Sequence, residues 1–287
     1  MKVLITGATG KLGPQVVHEL LARDVEVSAL VRDAERARRI LGERPMLVVG
    51  SFADTATVAD ALGEVDALCL LTPHGPDMAK TQNALIDLAA QSGTRVVKVS
   101  GTSSGIGPAG PDACRQHYDT EQHLAGSGVP WAVVRPNGYM QTLVVGMAAT
   151  VRERGVVVNP LGGAGIAVVD CADVGAATAE VLCDRRHDGR HHVLTGPAAP
   201  TYAQMADDIG RVLGRAVAVV DVTPEQAGEA ARAKGLSAWE AGHLAEMLHL
   251  FGTGAAEAVV ADLPALIGRP PRTVADFVTD HRELFTS

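Results

Sequence analysis

Three glycines, Gly7, Gly10 and Gly13, recur at three-residue intervals in the run VLITGATGKLG, Val3 to Gly13. Val3 to Thr6 is the apolar, β-branched composition of a buried parallel strand. Beyond the glycines, Pro14 to Ala22 places Val16, Val17, Leu20 and Leu21 on one helical face. A strand, a glycine turn and a helix N-terminus in that order build a cradle for an anion. Free backbone N–H groups and the positive end of the helix dipole converge on it. Gly7 permits the tight turn, Gly10 admits a pyrophosphate close to the backbone, and Gly13 lets helix and strand pack. Thr9, Lys11 and Leu12 complete the loop that would wrap the phosphates. Pro14 suits a first helical turn, where a missing N–H costs nothing. The expected chemistry is dinucleotide binding.

The second predicted strand, Val25 to Val31, should end beside the adenosine ribose. A site preferring NAD places Asp or Glu there. Here the position holds Arg32, whose guanidinium forms a bidentate pair with a phosphate where an acid would repel it. Arg32 therefore points to the 2′-phosphate of NADP, with Lys11 as a second cation. Asp33 comes one residue late and is expected to face away.

These groups need a scaffold. Further strands are expected at Pro45–Val49, Ala67–Leu71, Val96–Ser100 and Trp131–Arg135. Helices between them are expected at Asp33–Leu41, Thr55–Leu62, Asp77–Gln91 and Ala113–Ala125. The alternation predicts an α/β, doubly wound parallel sheet with ligands at the carboxyl ends of its strands. Past residue 150 the pattern loosens. Short strands are predicted at Val156–Pro160, Ile166–Val169 and His191–Thr195, with helices at Asp173–Leu182, Tyr202–Leu213 and Ala238–Phe251. The expected organisation is a dinucleotide-binding domain over residues 1–155 and a smaller, helix-rich substrate-binding region over 156–287. One strand–helix unit, about 166–183, should return to the sheet.

The G-x-x-G-x-x-G spacing resembles the short-chain dehydrogenase/reductase superfamily in its extended and atypical branches, and GATGKLG resembles the NmrA-like group. Val133–Gln141, VVRPNGYMQ, is similar to that group's RP-x-x-F-M-x-N motif. Val168–Gly175 is similar to its D-x-x-D-V-A motif, and Gly268–Val278 to its C-terminal ending. The resemblance implies an adenine contact at Ser51, where the group has Asp, and cofactor ribose against Leu71, Thr72 and Pro73. It also implies Pro136, Asn137, Gly138 and Tyr139 beside the nicotinamide.

Reducing members of the superfamily carry Tyr-x-x-x-Lys on the helix after the fifth strand, where the cation lowers the pKa of a proton-donating phenol. Aligning Glu121 and Leu124 with the group's E-x-x-L puts His117 at the lysine position and Ala113 at the tyrosine position. Tyr118 is followed four residues on by Gln122, so the pair is absent. The candidates that remain are His117 as acid or ribose ligand, Ser100 as a carbonyl-orienting and cofactor-contacting hydroxyl, and Tyr139 as a phenol. Alternatively, His117 packs between helix and sheet and does no chemistry.

Bulk properties narrow the class. A chain of 287 residues can bury a full core. A net charge of −8 argues against a nucleic-acid surface. No apolar stretch reaches the ~20 residues of a membrane span, and no signal-like segment precedes the first strand. Cys69, Cys114, Cys171 and Cys183 lack metal or redox spacing, and neither His187, His191 and His192 nor His243 and His249 has that of a zinc motif. The expectation is a cytoplasmic NADP(H)-dependent oxidoreductase, a monomer or homodimer without metal. It would act on a small hydrophobic carbonyl or quinone. Two alternatives stay open: a non-catalytic NADP(H)-sensing regulator, and a non-redox cyclase or isomerase on the same fold.

Overall fold

A computed structural model describes residues 1–286. In chain order the first half alternates as the spacing predicts. The strands are β1 (Lys2–Ile5), β2 (Glu26–Val31), β3 (Met46–Val49), β4 (Ala67–Leu70), β5 (Arg95–Val99) and β6 (Trp131–Pro136). Between them run the helices α1 (Gly13–Ala22), α2 (Ala34–Leu41), α3 (Thr55–Gly63), α4 (Met78–Ser92) and α5 (Asp112–Gly126). The second half contains α6 (Met140–Arg154), β7 (Val156–Asn159), α7 (Cys171–Cys183), β8 (Arg190–Leu194), α8 (Tyr202–Leu213), β9 (Ala218–Asp221), α9 (Pro224–Ala233), α10 (Ala238–Gly252), α11 (Asp262–Ile267) and α12 (Val274–Asp280).

One sheet runs in the order β3-β2-β1-β4-β5-β6-β8, and every neighbouring pair from β3 to β6 is parallel. The order reverses between β1 and β4, and in such sheets ligands bind outside the carboxyl ends of the strands at that point. Thr6 closes the junction there. Its buried hydroxyl donates to the Leu71 carbonyl (2.7 Å) and accepts from the Leu71 N–H (2.8 Å). It thereby satisfies backbone groups just past the last paired residue of β4.

The chain forms two compact units. The first comprises residues 1–101, 115–135 and 171–192, and the second 102–114, 136–170 and 193–287. The chain passes between these units five times. Helix α7 belongs to the first unit, whereas residues 166–170 belong to the second. The first unit's core joins Leu4, Leu68, Leu70, Val96, Val133 and Leu124 between sheet and helices. The second unit packs α6, α8, α10 and α12 around Val144, Val151, Ile209, Phe251 and Phe277, and holds a separate parallel pair, β7 with β9.

Two expectations fail. Ile166–Val169 is not a strand. Its four N–H groups bond to the carbonyls of Pro200, Ala256, Ile166 and Gly138, so no ladder forms, and only an isolated bridge joins Val169 to Tyr139. Helix α6 was not anticipated, because Thr142, Val144, Val145, Gly146, Thr150 and Val151 weaken its helical signature. Tertiary burial of Met140, Val144, Met147 and Val151 overrides that propensity.

Replacing Thr6 by Val keeps the shape but strands the amide and carbonyl of Leu71. Urea denaturation should show a loss of about 1–3 kcal/mol, larger than that of the equivalent change at exposed Thr55.

Candidate active site

The cradle read from sequence is built as its residue types require. Gly7 has φ +62°, and a Cβ on it would lie 2.9 Å from the Leu71 carbonyl oxygen. A Cβ on Gly13 would lie 2.4 Å from the Gly7 carbonyl oxygen, so helix α1 can start this close to the strand only on glycine. No side chain caps α1, and Pro14 occupies its first turn. The anion-attracting N-terminus is therefore left to whatever enters the turn.

Arg32 follows β2 directly, is exposed, and has no hydrogen-bond or ion-pair partner among the described residues. Asp33 is otherwise engaged: as N-cap of α2 it accepts from the Arg36 N–H (2.9 Å). Ser51 follows β3 and accepts from the Ala53 N–H. Leu71, Thr72 and Pro73 follow β4, where the Thr72 hydroxyl accepts from buried Gln82 (2.6 Å). Since β1 to β5 run parallel, the glycine turn, Arg32, Ser51, Leu71–Pro73 and Ser100 all lie along one edge of the sheet. The donor set fits a dinucleotide. The turn would hold the pyrophosphate, Arg32 a 2′-phosphate, and the segment after β4 the ribose.

Beside that edge, β5 and α5 hold a charged cluster that the sequence reading missed. Val96, Lys98 and Ser100 share one face of β5 by strand alternation. His117, Glu121 and Leu124 form a stripe on α5 at helical spacing. Lys98 is fully buried, and His117 and Glu121 are each 3% exposed. The Lys98 Nζ lies 2.8 Å from His117 Nδ1, and His117 Nε2 lies 3.4 Å from His74 Nε2. Ser100 donates its hydroxyl proton to Glu121 Oε1 (2.5 Å), and Arg135 on β6 forms an ion pair with the same carboxylate. His191 on β8 approaches Glu121 Oε2 at 3.3 Å.

The helix thus lacks a lysine, but the neighbouring strand supplies one to the same imidazole. Ser100 does not meet the expectation of a donor to a carbonyl: its single proton is spent on Glu121. Burial alone would raise the Glu121 carboxyl. Hydrogen bonds from Arg135 and Ser100, with the charges of Lys98 and Arg135, outweigh burial and hold it below the usual carboxylate range. Burial lowers the Lys98 ammonium from 10.5 to about 7, opposed by Glu121 and reinforced by Arg135.

The remaining candidates lie in the second unit. Asn137 is buried, accepts from the Thr102 hydroxyl (3.0 Å) and donates to the Ala256 carbonyl (2.9 Å), so its amide works as a clamp. Pro136 ends β6, a Cβ on Gly138 would meet Leu143, and half-buried Tyr139 occupies the position just before α6 without a side-chain capping bond. Asp170 pairs with Arg272 (2.8 Å) and accepts from Gln141 (2.7 Å). Phe251 is consumed by the core, and Trp239 stacks on His243. Among the described residues, Glu180, Asp184 and His187 form one group close enough to share an ion, but Arg186 already engages Asp184.

Comparison with known proteins decides the family. Residues 7–184 match the family model described as NAD(P)H-binding. The chain belongs to the NAD(P)H-binding family. It is 32% identical to NAD(P)H azoreductase of Xenophilus azovorans, over 99% of both chains. It is 34% identical to a (4-alkanoyl-5-oxo-2,5-dihydrofuran-3-yl)methyl phosphate reductase of Streptomyces griseus, again over 99% of both. The crystal structure of an NADPH-dependent quinone oxidoreductase from Escherichia coli, complexed with NADPH, superposes with TM-score 0.88 at 26% identity, covering 98% of this chain and 99% of that one. This protein is accordingly an NAD(P)H-dependent oxidoreductase, in keeping with the atypical short-chain dehydrogenase/reductase group that the glycine motif resembles. No helix among the described residues is long and apolar enough to cross a membrane.

Between pH 7 and 10 the folded chain holds Lys98 largely neutral while the unfolded chain protonates it. Unfolding then takes up a proton, so this group makes stability rise with pH across that window. Urea unfolding of wild type and Lys98→Met should diverge accordingly. Wild type gains on the variant from about pH 7 to 10, whereas a constant difference would leave Lys98 at its ordinary titration.

Proposed function

We propose that this protein is an NADPH-dependent reductase whose acceptor is a quinone, a flat and hydrophobic molecule. The observation that carries the acceptor class is the pairing of buried Lys98, from β5, with His117, which stands where related reductases place the lysine, while Ala113 stands in place of their tyrosine. No phenol in the first unit stands four residues from a cation: Tyr118 is followed at that spacing by Gln122. Ketone reduction produces an alkoxide that needs a strong, well-placed acid. A quinone yields a stabilised phenolate, so positioning and a weak acid suffice. The quinone oxidoreductase among the similar proteins supports the same class of acceptor.

Arg32 supports NADPH over NADH. Its guanidinium is exposed and unengaged at the end of β2, and Asp33 is held as a helix cap. When bound, the nicotinamide cofactor supplies the hydride. The chain's own residues do the remainder. The α1 N-terminus and glycine turn hold the pyrophosphate, Arg32 selects the extra phosphate, and the Thr6–Leu71 hydrogen bonds fix the two strand ends between which the turn sits.

Two measurements test the proposal. Arg32→Ala should weaken NADPH binding roughly 30-fold, the loss of a charge-assisted pair, while NADH binding stays within about twofold; equal losses would refute the assignment. Wild-type protein should consume NADPH with p-benzoquinone at a kcat/KM roughly 100-fold above that for an aliphatic ketone of similar size. A preference for the ketone would overturn the acceptor class.

A further inference from the structure

We propose that Lys98, His117 and His74 form a proton wire, with the buried ammonium as its store and the exposed His74 ring as its outlet. The inference rests on the reductase reading given above, since a hydride acceptor also needs a proton. It deepens that reading by naming the source.

The three groups touch in series and their exposure climbs along the series. Lys98 is fully buried, His117 is 3% exposed, and His74 is exposed in the loop after β4. The distances are 2.8 Å from Nζ to His117 Nδ1 and 3.4 Å from His117 Nε2 to His74 Nε2. The two rings meet edge-on at 73°, with centroids 5.4 Å apart. Gly101 leaves room for this: a Cβ there would press on His117 Cδ2 at 3.0 Å, so the ring is seated against the backbone just past β5.

Hydrogen-bond chemistry sets the direction. An ammonium can only donate, so charged Lys98 makes His117 Nδ1 an acceptor and places the imidazole proton on Nε2, facing His74. A proton then moves in three linked steps. Nζ–H passes its proton to His117 Nδ1, the Nε2 proton of His117 passes to His74 Nε2, and His74 releases its Nδ1 proton to the acceptor oxyanion. His117 changes tautomer without gaining net charge, and Lys98 is left as a neutral amine that accepts from Nδ1–H. For a quinone the balance is one hydride, carrying two electrons, plus this one proton, giving the hydroquinone. Proton uptake at His74 from water and the reverse sequence restore the ammonium.

The groups facing the store are Glu121 from α5 and Arg135 from β6, with His191 of β8 on the far side of Glu121. Burial and Arg135 disfavour the charged amine while Glu121 favours it, so Lys98 titrates at about 7. Both of its forms are then accessible near neutral pH. A purely structural cation would gain nothing from this balance.

Nitrogen NMR of histidine-labelled protein reads the wire without any turnover. His117 should carry its proton on Nε2 at about pH 6 and on Nδ1 at about pH 8.5, and Lys98→Met should abolish the switch. Lys98→Arg keeps a cation that cannot release a proton, so it should lock the Nε2 tautomer. At the outlet, His74→Gly should lower kcat for the quinone roughly tenfold or more with KM little changed, and free imidazole should restore part of the loss. One His117 tautomer across the whole pH range in wild type would overturn the wire, as would an unaltered kcat in His74→Gly. If the wild type consumes no NADPH with quinones, the reductase reading fails, and the tautomer switch is still decided by the spectra.

Discussion

A lysine with no access to water sits in the middle of a parallel sheet, and the arrangement around it follows from the cost of putting it there. An isolated ammonium in such surroundings is strongly disfavoured. The fold answers with a carboxylate one helix away, Glu121, itself held by Arg135 and Ser100. This fixes how α5 lies on β5 and β6: its charged residues meet the carboxyl ends of the strands, and Leu124 joins the apolar cluster of Val96 and Val133. The result is a cluster balanced near neutrality. Removing one member would leave the others buried without a counter-charge, which costs more than the pair contributes when intact.

The glycine cradle at the other side of the same sheet edge depends on close approach. Gly13 can begin a helix against Gly7 only because neither carries a side chain, and Thr6 locks the strand end that leads into the turn. Phosphate binding then needs little beyond uncapped amides and a cation. Arg32 is an exposed cation at the end of β2, and the acid next to it caps a helix. Two adjacent charges of opposite sign thus take different tasks, and the backbone decides which.

Much of this was legible in the residues. The cradle, the alternation of elements through β6 and the doubly wound sheet all follow from local pattern, because each is a local solution to a local constraint. What lay hidden depends on residues far apart in sequence. Lys98 interrupts an otherwise apolar strand, VVKVS, and a charge inside a buried run was the available signal. Its partners come from α5, β6 and the loop after β4, so no single segment shows the cluster. The same reason explains Ser100, whose hydroxyl belongs to a carboxylate twenty-one residues away. Helix α6 was masked by β-branched residues that only its packing justifies, and Ile166–Val169 has strand composition but finds four unrelated partners.

The repeated passage of the chain between its two units carries an evolutionary and practical corollary. Neither unit is a contiguous cassette, so a fusion or a transplant made at any one cut would inherit fragments of both. The first unit stays covalently threaded through any such exchange.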